Sequence, residues 1–235
     1  MSVRLSKVLA AQLPCSRREA EQYIANGWVR VNGAVVEWPQ HPIDGERVEL
    51  DPDARLEPVL PATLVWHKPA DCDATLPAAL PADGRARSAS DPSPQRVLQR
   101  HFRHLQLLFP LETAASGIVL LTQNAALAAR LGEDHGRYEQ ECIVEVRGDT
   151  VAGGLAGIAQ GQGATPPLPS AVKVSWQSEQ RLRIAAKGLR PGQLQALCAA
   201  AGLQTVSIRR IRLGRLPVAG LAPGEWRYLG SEERI

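Results

Sequence analysis

The sequence predicts an α+β protein, a small N-terminal module followed by a larger domain. Short apolar or alternating runs are interleaved with segments of helical period, and no glycine-rich Rossmann turn links a strand to a helix. An aperiodic stretch with three prolines, residues 51–62, interrupts the pattern and reads as a linker. At 235 residues the chain has room for both parts. The boundaries drawn from these observations are 1–50, 51–62 and 63–235.

In the first module, Leu5, Val8 and Leu9 recur at i, i+3, i+4, the mark of a short amphipathic helix. A second helix starts after Ser16, which forms a capping-box pattern with Glu19, and Ala20, Tyr23 and Ile24 make its apolar face. Asn26-Gly27 ends it, since both residues tolerate the left-handed conformation of a C-terminal cap. Val29-Arg30-Val31, Asn32-Gly33 and Ala34-Val35-Val36 then read as a hairpin, and Val48-Glu49-Leu50 as a further strand after a turn at Asp44-Gly45.

Beyond the linker, Leu64–Lys68 is a strand stopped by Pro69, and residues 70–95 read as a long loop. A helix is expected over Gln95–His104, a strand over Gly117–Thr122, a helix over Asn124–Leu131 and a strand over Glu141–Val146. Residues 148–170 are rich in Gly and Pro with room for one short helix. Strands Ala171–Trp176 and Arg181–Ala185, a helix Gly192–Ala201 and a strand set from Thr205 to Leu229 complete the chain.

Composition narrows the function classes. No apolar run is long enough to span a membrane, and the first residues lack the apolar core of a signal peptide, so a cytoplasmic location is expected. The four cysteines, Cys15, Cys72, Cys142 and Cys198, are far apart and form no C-x-x-C pair, so neither a zinc site nor a disulfide framework is signalled. His101 and His104 share a helix-like face without a third ligand and read as part of a surface helix. Net charge is only +3, but its distribution is uneven: residues 1–36 carry +3, residues 37–57 carry −5 and residues 187–235 carry +5. Two basic segments suggest two surfaces for a polyanion, or simply two solvated faces. Arg17 and Arg18 occupy the first turn of the second helix, where a cation opposes the helix dipole at a cost of up to about 1 kcal/mol. A phosphate bound at that helix end explains the pair; two tolerated surface arginines also do.

Val3–Ala10, Ser16–Glu21 and Ile24–Gly33 together resemble the S4-type RNA-binding domain, named after a small-subunit ribosomal protein. The resemblance covers about the first 50 residues. It implies that Arg4, Lys7, Arg17, Arg18, Arg30 and Asn32 face structured RNA, mostly through phosphate contacts that set position rather than sequence.

The stretch Phe109-Pro110-Leu111-Glu112-Thr113-Ala114-Ala115-Ser116-Gly117, with the apolar run to Thr122, resembles the signature segment of pseudouridine synthases, where Arg-Leu-Asp leads into Thr-Ser-Gly and a strand. Lys68-Pro69, Lys187-Gly188-Leu189, Arg209–Gly214 and Leu221–Leu229 extend the likeness to the ribosomal-RNA pseudouridine synthases of the small, single-site bacterial type. That resemblance implies a mixed, mainly antiparallel sheet with an RNA cleft, isomerisation of uridine in RNA without cofactor or metal, and ribosomal RNA as partner. It places Lys68 among the RNA-binding residues and Glu112 at the catalytic position. A monomer is expected.

The family aspartate acts on the ribose, a cationic side chain pairs with it, a tyrosine packs on the target base, and an arginine before Leu-Asp helps hold the gap left by the flipped base. In this chain Glu112 replaces the aspartate, Pro110 the arginine and Cys142 the tyrosine, while Gln195 and Ala196 replace the arginines of the basic helix. A longer side chain moves the carboxylate by roughly 1 Å, and such a misplacement costs about a hundredfold in rate. Three readings follow: an RNA-binding family member with little or no catalysis, an active synthase using Glu112 with Arg190 or Lys68 as partner, and an interaction module that does not bind RNA.

Overall fold

A computed structural model describes residues 2–73 and 85–235, so residues 74–84 of the expected loop lie outside the described residues. The chain divides into two compact units. The first comprises Met1–Pro61 with Pro94–Arg103, the second Ala62–Ser93 with His104–Ile235.

In the first unit, strand β1 (Val3–Arg4) runs directly into helix α1 (Leu5–Gln12), and α2 (Arg17–Ala25) follows. The capping box forms as the sequence demands: Ser16 Oγ accepts from the Glu19 N–H and the Glu19 carboxylate from the Ser16 N–H. Strands β2 (Val29–Val31) and β3 (Ala34–Val35) make a hairpin, with Asn32 and Gly33 both at positive φ, 50° and 83°. This pair of left-handed residues matches the strand twist, which is why Asn-Gly marks the turn. Strand β4 (Pro42–Ile43), which the sequence does not announce, pairs with β1; β5 (Val48–Leu50) pairs with β2. Leu5, Leu9, Ala20, Ile24, Val29, Val31 and Ile43 form the core.

The expected helix at Gln95–His104 is a single 3-10 turn, Gln99–Phe102, and its segment belongs to the first unit rather than to the larger domain. The cause is an alternating set of partners. The Arg96 guanidinium lies 4.1 Å above the Trp28 ring and binds Asp51, Leu98 packs against Gly27, and Arg100 Nε donates to the Ala25 carbonyl. Contacts at i, i+2 and i+4 draw the backbone out before the turn. The Glu37 carboxylate accepts from the N–H groups of Gln99 and Arg100. His101 is therefore buried instead of lying on a surface helix.

The second unit is a nine-stranded mixed sheet. Its strands are β6 (Thr63–Lys68), β7 (Gln106–Leu108), β8 (Ser116–Thr122), β9 (Glu139–Arg147), β10 (Lys173–Ser178), β11 (Arg181–Lys187), β12 (Gln204–Leu213), β13 (Leu216–Pro217) and β14 (Trp226–Tyr228). The order is β10-β11-β9-β12-β8-β6-β14, with β13 on β12 and β7 on β8. All pairings are antiparallel except β12 with β8, where Arg209 and Arg210 lie beside Ser116 and Gly117. Helices α4 (Gly154–Ala159) and α5 (Gln193–Ala200) contribute Ile158, Leu194, Leu197 and Cys198 to a core with Cys142, Val144, Val146, Leu182 and Ile184. Helix α3 (Ala125–Glu133) contributes Ala128 and Leu131 to another core, with Val65, Ile118, Leu120 and Leu213. Cys142, Val144 and Val146 share one buried face of β9, and Ile143 and Glu145 between them are partly exposed.

Candidate active site and RNA-facing surface

Residues 109–115 form the loop between β7 and β8. Its entry is pinned at Phe109, whose φ is 52°. The Phe109 ring stacks on His135 at 5.1 Å and meets the edge of Tyr138 at 5.5 Å. Its carbonyl accepts a hydrogen bond from Arg210. Pro110 is exposed, Leu111 packs onto the core beneath α5, and Glu112 is left half-buried.

Lys68, at the end of β6, is fully buried. Its ammonium donates to the carbonyls of Pro69 at 3.0 Å, Thr113 at 2.8 Å and Ala115 at 2.6 Å. An ammonium has three donors, and all are used. Lys68 therefore braces the Glu112 loop from inside and presents no donor to RNA, contrary to its placement among RNA-binding residues. Burial lowers its pKa, opposed by Cys72, Asp71 and Glu112.

The Glu112 carboxylate accepts from the Gly192 N–H at 2.5 Å, just where α5 begins. A helix N-terminus carries roughly half a positive charge. The group that bonds Glu112 is thus a backbone N–H, while the buried charges of Lys68 and Arg210 act on it without a hydrogen bond. Among the described residues no Lys, Arg or His side chain forms an ion pair with Glu112. Arg190 is exposed, and Lys68 is committed to carbonyls.

Cys142 and Gln195 are the remaining positions singled out in the sequence. Cys142 is 1% exposed, and burial pushes its thiol up to about 12, so it is neutral at physiological pH. It packs among aliphatic side chains and presents no ring. Gln195 is half-buried, and its Oε1 is buried without a hydrogen-bond partner among the described residues.

Arg210 is the organising residue that sequence reasoning missed. It is fully buried and donates to the Ile118 carbonyl, Gln140 Oε1 and the Phe109 carbonyl. Burial lowers its pKa to about 10, which leaves it charged at pH 7. Gly117 makes its approach feasible: at φ 126° a Cβ there would run into the Arg210 backbone. A glycine facing an arginine across the β8–β12 pair was the available signal, visible only once the register is known.

The basic residues of the first unit are largely displayed. Arg4, Lys7 and Arg18 are exposed and make no side-chain hydrogen bond or ion pair among the described residues. Arg17 forms an exposed pair with Glu21 at 3.2 Å, too solvated to restrain it much. Arg30 donates to the Gly33 carbonyl, and Asn32 Oδ1 accepts from the Arg47 N–H, so the Asn32 side chain ties the hairpin turn to the segment before β5. The basic C-terminal segment is less of a surface than its charge suggests. Arg210 is internal, Arg212 pairs with Glu139 and Glu141, and Arg227 pairs with Glu233.

Residues 3–48 match the S4 domain. Across the whole chain, an uncharacterized RNA pseudouridine synthase of Aquifex aeolicus is 28% identical over 235 residues, covering 98% of this chain and 94% of that protein. The dual-specificity RNA pseudouridine synthase RluF of Escherichia coli (strain K12) is 26% identical over 241 residues, covering 100% of this chain and 78% of that protein. In three dimensions, a crystal structure of a pseudouridylate synthase superposes with a TM-score of 0.55 at 20% identity, covering 97% of this chain and 96% of that one, a likeness of fold.

Proposed function

We propose that this chain, which belongs to the RNA pseudouridine synthase family with an N-terminal S4 domain, is an RNA-binding protein with weak or no isomerase activity. The observation that carries this reading is the state of Glu112, whose carboxylate is tied to the Gly192 N–H at the start of α5 and, among the described residues, forms no ion pair with a cationic side chain. The nearest buried cations, Lys68 and Arg210, are occupied by carbonyls and Gln140, and the position of the base-packing ring is a buried neutral thiol. The exposed cations of the S4 domain support RNA as partner. We take that RNA to be ribosomal, and the protein to act as a monomer in the cytoplasm.

A second reading, an isomerase working through Glu112, draws on the same contact, because the end of α5 supplies the positive potential a catalytic carboxylate needs. Incubation with ribosomal RNA followed by pseudouridine analysis separates the two. The expected result is little or no product above the protein-free control for the natural chain, and none for Glu112→Gln. Abundant product that vanishes in Glu112→Gln establishes the isomerase instead. The double variant Glu112→Asp, Pro110→Arg is expected to restore little activity, because Cys142 and Gln195 remain.

A further inference from the structure

Trp38 is the most exposed tryptophan described, at 57% of its surface, although burying an indole would remove a large apolar area from water. Its backbone is fixed on both sides. Glu37, just before it, accepts two N–H bonds from Gln99 and Arg100. Pro39, just after it, accepts from the Ser6 N–H at 3.0 Å, and the Trp38 carbonyl accepts from the His41 N–H, while His41 in turn accepts from the Leu5 N–H. The turn that displays the indole is therefore stitched to the first residues of α1. Those residues are flanked by Arg4 and Lys7, both exposed and without side-chain partners among the described residues.

We propose that Trp38 is a stacking platform for an unpaired base of structured RNA, with Arg4 and Lys7 holding the neighbouring phosphates. The inference rests on the RNA-binding reading above and deepens it. An indole stacks on any base, whereas a base inside a duplex is already stacked on both faces. The pair of features thus selects RNA with a loop or bulge over an unbroken duplex. Charge complementarity favours RNA as the occupant: the turn that carries the ring is hydrogen-bonded to the segment that bears Arg4 and Lys7, exposed cations that attract phosphates.

The test measures affinity of the full chain for two RNAs, a stem-loop and a blunt duplex of the same stem, across a salt series. Trp38→Ala is expected to weaken stem-loop binding about tenfold, to leave the duplex unchanged, and to keep the slope of log affinity against log salt, since stacking releases no counterions. Trp38→Phe is expected to retain most of the stem-loop affinity. Equal affinity of Trp38→Ala and the natural chain for the stem-loop, or an equal loss on both RNAs, overturns the assignment. If RNA binding is unaffected while self-association of the natural chain is seen and lost in Trp38→Ala, the indole belongs to a protein contact. Failure of the natural chain to bind either RNA, with Arg17→Ala/Arg18→Ala no different, overturns the RNA-binding reading itself and this inference with it.

Discussion

Lys68 and Arg210 are cations whose donors point inward, at backbone carbonyls and one amide oxygen, and together they hold the ends of the Glu112 loop. Removing such a group leaves its acceptors buried and unsatisfied, each at roughly 1–3 kcal/mol. Arg210→Met is therefore expected to destabilise the second unit by about 3 kcal/mol or more. The measurement is the urea unfolding midpoint, and an unchanged midpoint refutes a structural role for the guanidinium. The identities of Glu112, Pro110 and Cys142 were legible in the sequence because they stand in a recognisable frame. The partner of Glu112 was not, because it is a main-chain N–H, which no side-chain identity announces. For the same reason Lys68 was misjudged: a lysine in a motif looks like a contact for RNA, and only its three carbonyl partners reveal a brace.

Among the elements, those specified by local chemistry were read correctly. The Ser16–Glu19 box and the Asn32-Gly33 turn each determine their own backbone conformation within a few residues. The segment at 94–103 was misread because its conformation comes from distant partners, Trp28, Asp51, Ala25 and Glu37, which override a helical spacing of arginines. Burial of His101, reinforced by the charge of Arg100, lowers its pKa to about 4. The unfolded chain, with an ordinary histidine pKa near 6.5, takes up this proton before the folded chain does. Its contribution is hence fully present above about pH 6.5 and is lost as pH falls towards 4, by about 3 kcal/mol. Denaturant titrations of the natural chain and His101→Asn over this range test it. The natural chain is expected to lose stability more steeply, and parallel curves would sink the assignment.

At the scale of the molecule, two units divide the work. The first carries the exposed cations of the S4 domain, and the second carries the sheet and the altered motif loop. Because the contacts proposed for Arg17 and Arg18 are to phosphates, Arg17→Ala/Arg18→Ala is expected to flatten the salt dependence of RNA affinity by about 1.5 in log–log slope. Fluorescence anisotropy with one RNA at several salt concentrations measures it, and an unaltered slope removes both residues from the interface. The α+β class and most strands were legible from period and punctuation. Strand order was not, since it depends on pairings far apart in sequence, above all β12 between β9 and β8. That placement has a consequence for biosynthesis. As the chain leaves the ribosome, β6, β7 and β8 can pair first, then β9, β10 and β11, each set with an incomplete edge. Only when residues 204–213 emerge does one strand join the two halves. From the release of β9 until β12 emerges, the nascent protein therefore carries two open sheet edges, on β8 and on β9, and is exposed to mispairing.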